Sequence, residues 1–270
     1  MDPQPTTVQP PIHLRIADDL RMKIERGDLA AGDSLPTLQE LRDRWDTSLS
    51  SARSAIALLK QQGLITGGRG KAPIVRPTRR RIVRSSDRHQ LEKDLVHAPE
   101  PDRRSVGAAE LDLGIPVEQL TVADRYDTIA PTDELCTALG INPDTPVLRR
   151  EHETSDPHTG QRLSFSVSYI PRHLLEPNPV LLSEDCEPWP GGTQHQLHTV
   201  GIELARIIDE VTATMPTTVD AQRWGLDNGV PMLHVRRISI DTHNRTVEIS
   251  DAEYPADRTE LRFTTPLTLW

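Results

Sequence analysis

The sequence has little of what marks disulfide-rich, zinc-binding or membrane-spanning proteins. It holds 2 cysteines, Cys136 and Cys186, which form no CxxC pair, so neither a disulfide framework nor a zinc site is predicted. No run of 18 apolar residues occurs, and the first 11 residues are polar and proline-rich rather than an apolar secretion signal. We therefore expect a soluble, cytoplasmic protein with reduced thiols and no membrane partner.

The motifs of several common enzyme sites are also missing. The sequence has no GxSxG nucleophile elbow, no GxxxxGKS or GxxxxGKT phosphate loop and no HExxH zinc motif. His195 and His198 are spaced i, i+3, but no partnering carboxylate pattern accompanies them. We expect no catalytic residue, no metal ion and no cofactor.

Charge is divided unevenly along the chain. Residues 1–88 hold 16 Lys and Arg against 10 Asp and Glu, whereas the remaining residues hold 15 against 30. A basic module joined to an acidic one suits a head that binds a polyanion and a partner domain that does not touch nucleic acid. Chance unevenness of surface charge is the alternative, and the motif in the basic half favours the first interpretation.

Residues 12–45 carry the patterns of two helices. Apolar positions in 12–26 recur every fourth residue, which predicts an amphipathic helix that ends at Gly27. A second, short helix follows Pro36, which suits a helix start. Its buried face consists of Leu38, Leu41 and Trp45.

A third helix is predicted from Ser48, its N-cap, to about Gln62, with Gly63 as the stop. Asp46 and Thr47 make the turn before it. Entering a major groove through its N-terminal turn, such a helix would bring short hydroxyls and one arginine to bases and phosphates. Its buried stripe is Ala52, Ala55, Ile56 and Leu59, which leaves Ser50, Ser51, Arg53 and Ser54 outside.

Two short strands, Leu64-Ile65 and Ile74-Val75, are predicted next, joined by the glycine-rich segment 66–71. Glycines permit positive φ, and the arginine and lysine of this segment offer charge to a phosphate or minor groove. The order of elements predicts a winged helix-turn-helix over residues 11–76. The side chains that we place on the DNA are Thr37, Gln39, Thr47, Ser48, Leu49, Ser50, Ser51 and Arg53, with Arg69, Gly70 and Lys71 in the wing.

Residues 77–110 are predicted to be a linker. Six arginines between Arg76 and Arg88 form either a solvated connector or a supplementary phosphate contact, and the sequence leaves both open. Residues 97–110 are polar and rich in small residues, which suits a loop, and LEKDLV before them is expected to pair with the second domain or the linker strand.

The second half changes from helical to strand-like periodicity. Its β-rich segments are 147–153, 162–170, 231–240 and 246–254. The turn-forming separators DPHTGQ and DTHNRT join them into two antiparallel hairpins. With helices predicted within Glu203 to Ala213 and at Thr132 to Gly140, we expect an α+β domain around an antiparallel sheet over residues 111–270.

The basic module follows the spacing G-x-L-x-x-G-D-x-L-P, then E-L and an arginine-bearing helix. The matching residues are Gly27, Leu29, Gly32, Asp33, Leu35, Pro36, Glu40, Leu41, Ser48, Arg53 and Gly63. With this pattern, residues 11–76 resemble the DNA-binding domain of the GntR family of bacterial transcriptional regulators. The resemblance implies a homodimer on a palindromic double-stranded operator, with recognition helices in adjacent major-groove segments and wings in the minor groove.

Two positions depart from the usual pattern of that family. Gln39 stands where an arginine commonly precedes the E-L pair, and Leu49 stands where an arginine commonly follows the serine that opens the recognition helix. Each missing guanidinium removes a possible bidentate contact worth about 1–3 kcal/mol. We expect an operator unlike the usual family sequence, with Arg53 still supporting binding.

A second, distributed pattern runs from about residue 115 to 265. It consists of ELCTALGINPDTPVLRR, SYIP at 168–171, a predicted helix with Glu210, RWGLDNGVPMLHVRR and VEISDAEYPADRTELRF. This order resembles the UTRA effector-binding domain, which has a chorismate-lyase-like fold and marks the HutC-type branch of the GntR family. The resemblance implies a small metabolite beside the sheet and carries Glu248 and Tyr254 over as site residues.

Other positions of that site depart from the family. His152 and Thr154 stand where an R-x-R pair is often found, and Ser166 stands where a glutamate often precedes S-Y-x-P. Because two guanidiniums are missing, we expect an effector that is less charged or bulkier than a strong anion. The expected effector site is His152, Thr154, Ser166, Thr193, Glu248 and Tyr254.

Structural roles remain open for several of these residues. Glu248 could be an exposed strand residue, Tyr254 a cap on the core, and His152 a surface imidazole. The loop of residues 185–192 could close over the pocket with Trp189 as a wall, and plain packing is the alternative for Trp189.

Together these features predict a homodimeric, ligand-responsive repressor whose first 10 residues form a disordered tail. The alternative is a chorismate-lyase-type enzyme, or a metabolite-binding module without DNA function. An FCD-type regulator with an all-helical metal-binding domain conflicts with the strand content. A fused aminotransferase-like domain needs a Schiff-base lysine, and the short second half holds one lysine, Lys93.

Overall fold

The computed structural model describes residues 9–67, 72–76, 81–104 and 119–268. The chain divides into two compact units: Met1–Arg79 with Leu226–Val230, and Arg80–Gly225 with Pro231–Trp270. Within the described ranges, every helix is too short or too polar to cross a bilayer.

The N-terminal unit contains three helices and a small hairpin, as predicted. Its elements are α1 Ile12–Arg26, α2 Leu38–Trp45, α3 Leu49–Gln61, β1 Ile65–Thr66 and β2 Ile74–Val75. Gly27 ends α1 in the left-handed conformation, at φ 82°, which costs a residue without Cβ little. The first strand lies one residue later than predicted, and β1 pairs with β2 in antiparallel register.

The predicted apolar stripes form the core of this unit. Ile16, Leu20, Leu41 and Leu59 are buried together with Ala52 and Ala55. Ile56 and Trp45 are partly buried at the edge of this cluster. Burial of these faces fixes the outward side of α3, which carries the candidate DNA contacts.

The C-terminal unit is built on a six-stranded, fully antiparallel sheet of order β4-β5-β6-β9-β8-β7. Its strands are β4 Thr121–Ile129, β5 Val147–Ser155, β6 Arg162–Pro171, β7 Leu204–Thr214, β8 Met232–Asp241 and β9 Thr246–Pro255. Both predicted hairpins, β5-β6 and β8-β9, are present. The expected α+β class with an antiparallel sheet is confirmed.

One predicted helix is wrong. The helix expected within Glu203 to Ala213 is strand β7, which pairs with β8 along its length. The apolar residues of this segment have helical spacing, but its β-branched residues and the partner strand decide the conformation. The helix of this region lies earlier in the chain, at Gly192–Thr199. Glu210, which we expected on a helix, is an exposed strand residue opposite Arg236.

The remaining helices of this unit are short. They are α4 Arg88–Asp94, α5 Glu100–Arg104, α6 Asp133–Leu139, α7 Gly192–Thr199 and α8 Thr218–Arg223. The helix α6 agrees with the prediction, with Thr132 as its N-cap and Gly140 in the left-handed conformation after it. Three single-turn 3-10 helices, Arg172–Leu174, Pro179–Leu182 and Glu184–Cys186, follow β6.

The stretch predicted as a linker contains regular structure. Strand β3, Ile82–Ser85, pairs in parallel with β10, Thr259–Arg262. Helix α5 replaces part of the loop predicted for residues 97–110, and residues 105–110 lie outside the described ranges. Acidic residues in the first turn of α5 and basic residues in its last turn suit the helix dipole. The segment LEKDLV is mostly helical, in α4.

Candidate functional site

Local hydrogen bonds fix the start of α2 and the turn between α2 and α3. Thr37 and Glu40 form a capping box: the backbone N–H of Thr37 donates to Glu40 Oε2 at 2.7 Å, and that of Glu40 donates to Thr37 Oγ1 at 3.2 Å. Ser48 caps α3 by accepting the Ser51 N–H at 3.1 Å, and Asp46 takes a left-handed conformation, at φ 44°. Thr37, Ser48 and Ser51 thus hold the helices in place as well as facing outward.

The other predicted DNA contacts of this region lie on α2, on the turn and on α3. Gln39, Leu49, Ser50 and Arg53 are exposed, and Thr47 is partly buried. The Arg53 side chain makes no hydrogen bond or ion pair with another described residue. Its guanidinium is therefore available for a phosphate or base edge.

The wing is attached to the end of α3. Lys60 Nζ donates to the carbonyl of Gly67 at 2.8 Å, where β1 ends. The predicted wing contacts Arg69, Gly70 and Lys71 lie outside the described residues.

A cavity of about 360 Å³ lies on one face of the six-stranded sheet. All six residues predicted for the effector site line it: His152, Thr154, Ser166, Thr193, Glu248 and Tyr254. They come from β5, β6, β9 and α7, and cross-strand register explains how separate sequence segments meet. His152 lies opposite Ser166, for example, and Ser239 lies opposite Glu248.

The floor of the cavity contains a buried ion pair. Arg150 Nη2 donates to Glu248 Oε1 at 2.7 Å, and the two residues are 1% and 5% exposed. Arg150 also donates to Ser168 at 3.0 Å and to Gln196 at 2.6 Å, while Ser239 donates to Glu248 at 3.2 Å. Burial opposes the charge of Arg150, but Glu248 and neighbouring groups outweigh it and raise the pKa of Arg150. Glu248 is therefore no exposed strand residue.

The loop after the last 3-10 helix forms one wall. Glu187 accepts hydrogen bonds from the Tyr126 hydroxyl at 2.6 Å, the Gln196 amide at 2.8 Å and the Trp189 backbone N–H at 2.8 Å. Burial would raise the pKa of Glu187, but these donors and the neighbouring His152 outweigh it and lower that pKa. Trp189 lines the cavity and also packs against the buried core, so its two proposed roles coexist.

Residues from the predicted linker also line the cavity. The Arg84 guanidinium lies 3.9 Å from the ring centroid of the buried Tyr254, and both residues line the cavity. Arg84 is thus a buried part of the C-terminal unit and does not belong to a solvated connector. Arg103 of α5 donates to the carbonyls of Pro190 and Ala98, at 3.2 and 2.5 Å.

Helix α4 is docked beside the floor. Arg237 donates to Asp209 Oδ1 and Oδ2 at 2.8 and 3.0 Å, and His89 Nε2 lies 3.6 Å from the same carboxylate. Burial would raise the pKa of Asp209, but the neighbouring His89 and the hydrogen bonds from Arg237 outweigh it and lower that pKa well below its ordinary value. Gln194 Nε2 donates to the His89 carbonyl at 2.8 Å, which ties α4 to α7.

Much of the cavity lining was not predicted from the sequence. Serines at alternate positions of β6 signal a polar strand face and could have identified Ser164 and Ser168 beside Ser166. The linker residues gave no such signal. They supply most of the guanidiniums in the lining, which comprise Arg84, Arg88, Arg103, Arg104 and Arg237. Because other elements supply these guanidiniums, the expectation of a weakly charged effector loses its basis.

One histidine of α7 holds the loop that carries Trp189. His195 Nδ1 accepts the indole N–H of Trp189 at 2.8 Å. Within the described ranges, no group of three or more His, Cys, Asp or Glu side chains is arranged to hold a metal ion.

Known proteins match both units. The family model of the UTRA domain matches residues 125–260, and that of bacterial regulatory proteins of the gntR family matches residues 12–75. An uncharacterized HTH-type transcriptional regulator of Rhizobium meliloti (strain 1021) is 25% identical over 253 residues, 93% of each chain. The HTH-type transcriptional repressor NanR of Klebsiella aerogenes is 33% identical over 85 residues, 31% of this chain and 32% of NanR.

Solved structures share the fold. A crystal structure described as a GntR-family transcriptional regulator has a TM-score of 0.71 at 23% identity, and covers 96% of this chain and 98% of its own. PhnF from Mycobacterium smegmatis has a TM-score of 0.51 at 18% identity, over 94% of this chain and all of its own. The chain is a helix-turn-helix transcriptional regulator that belongs to the GntR family of bacterial regulatory proteins, in the HutC-type branch with a C-terminal UTRA effector-binding domain.

Proposed function

We propose that this regulator binds a palindromic operator as a homodimer, and that a small molecule in the cavity of the C-terminal unit releases it from the DNA. The observation that carries the proposal is the composition of the cavity wall. Part of the wall is the segment of residues 84–104, which follows the DNA-binding unit along the chain. A ligand there touches the part of the C-terminal unit that comes directly after the DNA-binding unit in the sequence.

On the DNA side, the exposed edge of the α2-α3 turn supports base contacts. Arg53 offers a bidentate donor, while Gln39 and Leu49 offer an amide and an apolar contact at the two positions that depart from the usual family pattern. Arg69, Gly70 and Lys71 would add wing contacts to phosphate or minor groove. Two identical heads on one palindrome double the contact set and make affinity depend on both heads reaching their half-sites.

The homodimer would form through the C-terminal unit. Ile208 and Val211 are exposed on β7, which is an edge strand of the sheet. An exposed apolar edge strand favours pairing with another chain, and a second copy is the partner that a palindromic operator requires. Light scattering at micromolar concentration tests this, with twice the chain mass as the expected result.

On the effector side, a ligand would contact His152, Thr154, Ser166, Thr193, Glu248 and Tyr254. The hydroxyls can hydrogen-bond a polar group, and the arginines of the lining favour negative charge on the ligand. A ligand that touches both the sheet and residues 84–104 would favour one docked position of that segment. Operator affinity would then follow the population of that position.

We propose no enzymatic role. Glu248, the most deeply buried carboxylate of the cavity, is neutralised by Arg150, and Glu187 is engaged by three hydrogen-bond donors. We also propose a cytoplasmic site of action, because operator DNA lies there. Repression, rather than activation, is favoured by the naming of NanR as a repressor.

Operator binding tests the proposal. In fluorescence anisotropy with the promoter region beside its own gene, we expect binding at moderate salt, and Arg53→Ala should weaken it about 5- to 150-fold. Arg21→Ala is the matched control, because Arg21 is exposed on α1 and pairs with Glu25. No binding at micromolar protein and low salt would overturn the proposal in favour of a metabolite-binding module or an enzyme.

A further inference from the structure

Trp189 is held from three directions at the cavity wall. Its ring packs against the buried cluster that includes Leu148 and Leu197. Its backbone N–H donates to Glu187, and its indole Nε1–H donates to His195 Nδ1, both at 2.8 Å. The same residue lines the cavity, so a ligand meets an indole whose position is fixed before binding.

The hydrogen bond from the Trp189 indole to His195 defines which nitrogen of the imidazole carries the proton. An indole N–H can only donate, so His195 Nδ1 must be the unprotonated, accepting nitrogen, and its proton must sit on Nε2. With the polar edge of the indole engaged by His195, the remaining ring surface is hydrocarbon with a π face. The wall therefore offers a ligand flat, apolar contact.

We infer that His195 is a positioning residue that fixes Trp189 as a flat wall, and that the cavity takes a small anion built on a planar, unsaturated ring. The inference rests on the proposed effector pocket. Planar rings gain more than puckered rings from a rigid indole, because their whole face can lie against it. The arginines of the lining, of which Arg84 and Arg103 are examples, favour negative charge on the ligand.

The surroundings of His195 keep its imidazole neutral at neutral pH. Arg103 faces it from α5, and His198 lies one turn further along α7, with ring centroids 6.1 Å apart. Beyond His198 stand His97, with ring centroids 4.7 Å apart, and Glu203. Burial, then Arg103, then His198 lower the pKa of His195. Protonation in acid turns Nδ1 into a donor, so the indole N–H loses its acceptor.

Fluorescence tests the positioning role without any ligand. The contribution of Trp189 is the emission of the wild type minus that of Trp189→Phe, recorded from pH 8 to pH 5. We expect this contribution to change in one transition below about pH 6.5. His195→Gln should abolish the transition but keep the neutral-pH spectrum, because a glutamine oxygen can accept the indole N–H without titrating.

His198→Gln is the matched control, since His198 is exposed on the same helix and does not bond the indole. It should keep the transition and move it to higher pH, because a like charge near His195 is removed. Absence of the transition from the wild type, its retention in His195→Gln, or its loss in His198→Gln would overturn the positioning role.

Ring shape tests the ligand class. Benzoate and cyclohexanecarboxylate have the same charge and similar size, but only benzoate is planar. In calorimetric titrations at pH 7.5 we expect benzoate to bind about 2- to 12-fold more tightly, and His195→Phe to remove that preference while His195→Gln keeps it. Equal affinities, or no benzoate binding at millimolar concentration, would overturn the ligand class. Operator binding is measured separately, so such a failure would be distinguishable from failure of the proposed function.

Discussion

Arg150 and Glu248 form an ion pair under the cavity floor, with 2.7 Å between Nη2 and Oε1 and almost no exposure of either side chain. They lie on strands β5 and β9, which are separated by β6 in the sheet. The pair therefore joins strands that are not neighbours. Glu248, which the family resemblance indicates as a site residue, therefore has a structural role as well as a place in the cavity lining.

Removing one partner of this ion pair should strongly destabilise the fold. Glu248→Ala leaves the Arg150 guanidinium buried without its carboxylate, and we expect a loss of about 3–5 kcal/mol in the free energy of unfolding. Urea denaturation followed by tryptophan fluorescence, to which the buried Trp224 contributes, measures it. Glu260→Ala is the control, since Glu260 pairs with the exposed Arg262 and should cost about 0–1 kcal/mol. Equal losses in the two variants would contradict a structural role for the buried pair.

Asp209 should make the docking of α4 sensitive to acid. The neighbouring His89 and the hydrogen bonds from Arg237 outweigh burial and hold the pKa of Asp209 below its ordinary value, so the folded state is stabilised where this carboxylate is charged. The contribution is complete above the ordinary aspartate pKa of about 3.9 and is lost as the pH falls toward the lower folded value.

The variant Asp209→Asn isolates this effect. It should be less stable than the wild type at pH 5, and the difference should shrink as the pH falls below about 4. Thermal unfolding at each pH gives the difference, and Asp144→Asn, at an exposed position, should show none of it. A difference that stays constant down to pH 2 would show that the carboxylate charge does not act as described.

In the N-terminal unit, the residues that stabilise the fold should be distinguishable by substitution from the residue that mainly binds DNA. Thr37→Ala removes half of the capping box of α2 and should lower the stability of this unit by about 1 kcal/mol. Arg53→Ala removes an exposed side chain and should change stability by less than about 0.5 kcal/mol while weakening operator binding. Calorimetric scans beside anisotropy titrations distinguish the two. An Arg53→Ala variant that unfolds earlier and binds DNA normally would reverse the assignment.

Local signals explain which elements could be predicted from the sequence. The helices of the N-terminal unit follow from apolar spacing and from caps such as Ser48 and Gly27, which act within a few residues. The hairpins β5-β6 and β8-β9 follow from alternation and turn residues. β7 was mispredicted because Ile207, Ile208 and Val211 fit helical spacing, and its conformation is decided by its pairing with β8.

Long-range pairing explains what could not be predicted. The parallel pair of β3 and β10 joins residues from opposite ends of the C-terminal unit in the sequence, and no short-range pattern predicts this pairing. Arg84 and Arg103 looked like parts of a basic or polar connector, yet both line the cavity. The candidate residues of the sheet face could be found from family resemblance, whereas the wall supplied by residues 84–104 needed the structure.

Occupancy of the cavity should be coupled to operator affinity, and filling the cavity should break the coupling. Ser166→Trp places a large side chain at the floor, so it should bind operator normally but no longer respond to an effector. Thr128→Trp, at an exposed position of β4 outside the lining, should respond like the wild type. Anisotropy titrations with and without effector compare the three proteins. A full response from Ser166→Trp would place the effector elsewhere.

The central claim is that binding of an effector in the cavity and binding of operator DNA weaken each other. A pair of reciprocal titrations tests it most directly. The compound that most raises the unfolding temperature in a metabolite screen is titrated into the protein with and without operator DNA, and operator is titrated with and without the compound. Linkage requires one factor in both directions, and we predict a decrease in affinity of about 5- to 150-fold. An operator affinity that stays unchanged at saturating compound would contradict the account.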